Sequence, residues 1–163
     1  MAIFFGNDDS TYISLRPLTE RRDSNGKIWI WVAADVSLTA NHPMVCRVST
    51  QGWAGMRMFD TGLASTTAAG RRFKVGVPLE TIPSGSHGFV QVGGFCSMLE
   101  ETQSVTTGNI FRWVDATVTG AGIAAANAAS GAGLCDAFAV AMATTSATTF
   151  DIFLMNKWAC GTS

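Results

Sequence analysis

From residue 28 onward, short apolar runs alternate with clusters of Gly, Thr, Ser and Asn, and the runs are rich in β-branched and aromatic residues. This is the pattern of strands separated by turns. It predicts strands at 28–36, 44–48, 56–59, 73–77, 89–92, 110–114 and 150–155. The run 137–143 alternates large with small, so on a strand Phe138, Val140 and Met142 share one face and four alanines share the other. An alanine face suits close approach of another chain or a second sheet, and equally suits tight packing inside one barrel. Helical signal is weak. The Ala-rich stretch 122–132 is interrupted by Asn127, Ser130 and Gly131, and reads as a short helix or a surface loop. No long internal repeat is visible, which excludes solenoids and propellers. The expected fold is all-β, an antiparallel β-barrel or sandwich.

Residues 1–27 have a different texture. Charges are dense here, Ser24-Asn25-Gly26 signals a turn, and Phe4, Phe5, Tyr12, Ile13, Leu15 and Leu18 keep no steady period. The segment reads as an extended N-terminal arm with apolar anchors, or as a frayed terminus, beside a barrel or sandwich domain at 28–163.

Composition narrows the function classes. The 163 residues are 47% hydrophobic and only 14% charged, with a net charge of -1. A dedicated nucleic-acid binder would need a basic surface, so nucleic acid is not an expected partner. No apolar window reaches the ~20 residues of a membrane span, and the first residues lack a signal-peptide pattern, so a cytosolic product with no membrane role is expected. Cys46, Cys96, Cys135 and Cys160 lie far apart, which predicts reduced, buried thiols and no metal site. After Asp115 the charged side chains are Asp136, Asp151 and Lys157 alone. A surface so poor in charge favours association, and the segment from Thr117 to Met155 is expected to meet identical neighbours.

Candidate chemistry is thin. His42 and His87 sit in turn-like segments and pair on paper with Cys46 and Cys96 as thiol–imidazole dyads, but no orienting third residue or nucleophile elbow accompanies them. Glu100 and Glu101 adjoin and would point to opposite faces of a strand; Asp8-Asp9 also reads as solvated chain. Gly120-Ala121-Gly122-Ile123-Ala124-Ala125 matches a dinucleotide fingerprint, which would require a helix to follow in a parallel βαβ unit. No catalytic residues and no cofactor are expected. In the basic cluster Arg71-Arg72-Phe73-Lys74, strand alternation would expose Arg72 and Lys74 together for a protein partner. Of the tryptophans, Trp29 and Trp31 share one strand face, suited to core packing or to stacking on a sugar.

The segment from Arg71-Arg72-Phe73-Lys74-Val75-Gly76-Val77-Pro78 through Ile82-Pro83-Ser84-Gly85-Ser86-His87-Gly88-Phe89-Val90-Gln91-Val92-Gly93-Gly94-Phe95 has a strand, a turn and a glycine-spaced strand. With Ile110-Phe111-Arg112-Trp113-Val114-Asp115, the run 137–143 and Ile152-Phe153-Leu154-Met155, it resembles the compact β-barrel capsid decoration (cement) proteins of tailed bacteriophages. The resemblance spans about half the chain. It implies a non-enzymatic virion protein, a homotrimer on the capsid exterior, whose partner is the major capsid protein. On that reading Phe4, Phe5, Tyr12, Arg16, Arg21 and Arg22 of the arm contact the capsid or a neighbouring subunit. Two other readings remain open: a glycan- or receptor-binding appendage domain stacking sugar on Trp53, Trp113 or Tyr12, and a small thiol hydrolase using Cys96 and His87.

Overall fold

The computed structural model describes residues 20–49, 52–57, 72–99, 107–113, 123–126, 137–144 and 149–160. They form eleven strands, with no helix among the described residues: β1 (Glu20–Arg22), β2 (Ile28–Ala34), β3 (Met44–Ser49), β4 (Gly52–Arg57), β5 (Arg72–Pro78), β6 (His87–Leu99), β7 (Ile110–Trp113), β8 (Ile123–Ala126), β9 (Ala137–Thr144), β10 (Thr149–Met155) and β11 (Trp158–Cys160). The all-β class expected from the periodicity is the class observed. Neighbouring strands run in the order β1-β2-β4-β3-β5-β6-β10-β9-β7-β8, with β11 beside β5.

The whole is a folded sheet rather than a closed barrel. Its first half curls, because β2 also pairs with the opening half of β6, from Ile28↔Gly93 to Ala33↔His87. Its second half leaves β6 through β10 and runs out to β8. Pairings are antiparallel except β2 with β4, which run parallel from Val32↔Trp53 to Ala34↔Gly55. The 35–43 connection that carries the chain from β2 to β3 is tied down on the way. Leu38 and Ile82 exchange backbone hydrogen bonds at 2.9 Å, and the Asn41 N–H donates to Pro78 O at 2.7 Å.

Two cores follow from this path. Ile30, Val32 and Ala34 of β2, Met44 and Cys46 of β3, Trp53 of β4 and Val90 and Val92 of β6 fill the curl, with Leu38 and Ile82. Val45, Val75 and Val77 face the other way and meet Cys96, Met98, Phe111, Phe138, Ala139, Ala141, Phe150, Ile152 and Leu154. So β3 contributes alternate residues to both cores, as the two-residue repeat of a strand requires. On β9 the alanines Ala139 and Ala141 point into the second core, and Val140 and Met142 point outward. Phe138, expected on the outward face with Val140 and Met142, instead enters the second core where the β7–β9 register shifts, and it and Phe150 each lie with ring centroids 6.2 Å from that of Phe111.

β6 links the halves, and it bends to do so. Gly94 has φ +87°, a left-handed conformation that glycine adopts without steric cost. Buried Gln91 clasps the bend: its Nε2 donates to Gly93 O at 3.0 Å and to Phe95 O at 2.9 Å. Gly76 lets β5 cross close beneath, since a Cβ there would lie 2.4 Å from Val90 Cγ1 and 3.1 Å from Gln91 O.

Three expectations are corrected here. Residues 123–126 are strand β8 against β7, from Ile110↔Ala126 to Trp113↔Ile123, so pairing overrides the helix that the alanines suggested. The strand expected at 56–59 begins earlier, at Gly52. Residues 20–27, expected in the arm, form a hairpin on the sheet: Glu20↔Ile30 to Arg22↔Ile28, with Asp23 Oδ1 accepting from the N–H groups of Asn25 and Lys27 at 2.9 Å each.

Candidate functional site

Half of the residues predicted for partner contact are described. Phe4, Phe5, Tyr12 and Arg16 lie outside the described residues, as do Glu100-Glu101, Asp8-Asp9 and Cys135. Arg21 and Arg22 are exposed on β1, at one end of the sheet. Arg72 opens β5, opposite Cys160. Lys74 is not the exposed partner residue that the basic cluster implied; it is 3% exposed. Alternation places it on the same side of β5 as Gly76, toward the curl, with its Nζ 5.8 Å from the Trp53 ring centroid.

A buried ammonium requires compensation, and three elements converge to provide it. Lys74 Nζ donates to Glu20 Oε1 and, at 2.7 Å, to Asn156 Oδ1. Asn156, in the left-handed region at φ 47°, donates from Nδ2 to Glu20 Oε2 at 3.0 Å. This clasp joins β1, β5 and the turn between β10 and β11. Partial burial raises the Glu20 carboxyl pKa, but the hydrogen bonds from Lys74 and Asn156 and the lysine charge outweigh it. The carboxyl is held below its ordinary value.

The His87–Cys96 thiol–imidazole pair does not assemble. His87 and Cys96 stand nine residues apart on one strand, which at ~3.3 Å per residue separates them by roughly 25–30 Å. Burial pushes the Cys96 thiol up to about 12, with Asp151 adding to the shift and Lys27 opposing it. Cys46, buried in the curl, is also raised by burial, partly offset by the Lys74 charge. Both are the reverse of an activated thiolate. His42 turns its Nδ1 to Ala40 O at 3.1 Å. The fingerprint-like stretch runs into strand β8, so Ile123 to Ala126, where the fingerprint needs the first turn of a helix, are extended. Among the described residues, no group of three His, Cys, Asp or Glu side chains could hold a metal ion.

What the fold does present is an apolar face. On β6, β10 and β9 the outward positions carry Phe95 (58% exposed), Phe153 (40%) and Met142 (44%), with Val140 half-buried among them. Phe153 sits opposite Phe95 on one side and Val140 on the other. The two phenyl rings meet edge to face with centroids 5.1 Å apart. The neighbouring carboxylate, Asp151, accepts from Ser97 Oγ at 2.8 Å. The reverse side of these strands is the second core, so the face is rigidly backed. Sequence reading expected self-contact in residues 117–155, which contain Met142 and Phe153, but missed Phe95. Its signal was the alternation at positions 95, 97 and 99, beyond the strand expected at 89–92.

The sugar-stacking set expected for an appendage domain changes too. Trp53 is buried in the curl and presents no face to solvent. Tyr12 lies outside the described residues, as does the side chain of Trp113. No protein family pattern and no curated protein matches the chain. Among solved structures, it is similar to the head fiber gp8.5 N base of bacteriophage phi29, with a TM-score of 0.48 and 7% sequence identity. That similarity covers 80% of this chain and 96% of the other.

Proposed function

We propose that this chain is a structural virion protein that binds the outside of a bacteriophage capsid lattice and stabilises the head, without chemistry of its own. The observation that carries this reading is the Phe95–Phe153–Met142 face, rigid, apolar and backed by a filled core. It falls within the part of the sequence that resembles capsid decoration proteins. The separation of His87 from Cys96 and the burial that raises the Cys96 thiol weigh against the hydrolase alternative built on that pair.

The size of the face sets the mechanism. Its three exposed side chains present on the order of 300 Å² of apolar surface, against about 800 Å² per partner in a stable two-body complex. One such contact is weak. Repeated around a homotrimer on a lattice of the major capsid protein, weak contacts add through effective concentration. Because the lattice exists only in the assembled shell, binding stabilises that shell by mass action.

Co-sedimentation of the purified chain with undecorated heads tests this. The wild type is expected to pellet with heads, and Phe95→Asp/Phe153→Asp to lose at least about tenfold in apparent affinity while keeping its fold by circular dichroism. A wild type that stays in the supernatant, or a double variant that pellets equally well, overturns the reading.

A further inference from the structure

A second surface, on the far side of the curl, has a different composition. Cross-strand register places Arg47 of β3, Ala54 of β4, Ala33 of β2 and His87 of β6 in one row across four strands. The side chains of Arg47, Ala33 and His87 in this row therefore share one face. Along β2, Trp31, Ala33 and Asp35 follow the same alternation. Ala33 is therefore a low point with taller side chains around it. An aromatic pair stands on one side: Trp31 and His87 lie nearly parallel, 14° between planes and 6.1 Å between centroids. Phe89 props Trp31 edge-on at 4.7 Å. On the other side Arg47 Nη2 donates to Asp35 Oδ2 at 3.0 Å, and the two side chains are 41% and 38% exposed. At ~3.3 Å per residue and ~4.8 Å per strand, the surround measures about 13 Å along β2 and about 14 Å across.

We propose that this depression is a carbohydrate-binding site that takes a neutral pyranose or a short oligosaccharide. An aromatic face packs against the C–H side of a sugar ring. The ion pair opposite it offers both donors and acceptors to hydroxyls, since one hydrogen bond uses only a fraction of the capacity of a guanidinium and a carboxylate. The pair neutralises itself, so nothing here selects an anion. An extended peptide is disfavoured for another reason. At this row β4 and β2 are each paired on both sides, so no free strand edge is offered for a peptide to extend. The site is separate from the Phe95 face: both use β6, but His87 and Phe89 lie at its start and Phe95 lies beyond the bend at Gly94.

The test is saturation-transfer NMR of the full chain with maltohexaose, cellohexaose and N-acetylchitohexaose, each offered at up to about 10 mM. Transfer to at least one is expected, strongest at ring C–H protons. Trp31→Ala should weaken it by about tenfold or more. Ala33→Arg, which fills the depression and removes no contact, should do the same and guards against a misfolded Trp31 variant. Absence of transfer to all three sugars overturns the proposal, as does transfer that survives both substitutions. If Trp31→Ala and Ala33→Arg instead abolish pelleting with heads, and the wild type shows no sugar transfer, the surface is a protein contact and the proposal also fails.

Discussion

Lys74 stands where a charged side chain is costly, in the end of the curl and over an indole ring, and its compensation comes from residues distant in sequence, Glu20 and Asn156. Removing only one member leaves the others stranded. Glu20→Ala is therefore expected to destabilise the fold by about 2 kcal/mol, less than the ~3–5 of a fully enclosed pair because Glu20 itself is partly solvated. Lys74→Met, which removes the buried charge and keeps the stem, should cost less than that; urea denaturation of both variants checks the order. Because the folded-state pKa of Glu20 is depressed, its stabilisation is present above the ordinary carboxylate value of 4.5 and is lost as pH falls through and below it. The urea midpoint of the wild type should approach that of Glu20→Gln between about pH 5 and pH 3. A constant gap over that range would remove the ion pair from the account. The buried thiols make a second check at this scale. With both raised by burial, Cys46 and Cys96 should resist iodoacetamide at pH 8 in the native protein and react in urea, as read by mass spectrometry of their peptides. Rapid native labelling of Cys96 would reopen the thiol chemistry.

At the scale of elements, much was legible in the sequence and the failures have physical causes. The strands at 28–36, 44–48, 73–77, 110–114, 137–143 and 150–155 each overlap an observed one, because apolar residues at a spacing of two encode a half-buried strand directly. β6 was read short, at 89–92. The strand continues past the Gly93-Gly94 bend to Leu99, and Gln91, a residue with no local signature, bridges that bend. β1 and β11 are three residues each and exist only through their partners β2 and β5. β8 has a composition that favours helix and is a strand because β7 pairs with it. Lys74 illustrates the same limit for the site: a basic cluster suggests exposure, and only the three-dimensional neighbourhood reveals Glu20. The crossing of β5 and β6 has little slack. Gly76→Ala would place a methyl against Val90 and the Gln91 carbonyl, and is expected to cost about 1–3 kcal/mol in denaturant unfolding. A neutral result would show that the two strands can part.

At the scale of the molecule, the two cores are not separate units. β3 feeds both, through Met44 and Cys46 on one side and Val45 on the other, and β6 runs through both as a 13-residue beam. A contact made at Phe95 or Phe153 is thus backed by the second core, while the Trp31–His87 surface is backed by the first. They share only β6, on opposite sides of its bend at Gly94, and no side chain, so one can be altered without the other and the head-pelleting and sugar-transfer experiments can fail independently.

The β2–β6 pairing has a consequence in time. Ile28 meets Gly93 across more than sixty residues of intervening chain, and the curl cannot close before that loop does. Such distant pairings carry a large closure entropy ahead of any gain from contacts, which places refolding in the range of milliseconds to seconds rather than microseconds. Stopped-flow refolding followed by tryptophan emission should show this slow phase. Microsecond recovery of the native signal would mean that the curl closes by a route other than the docking of these two strands.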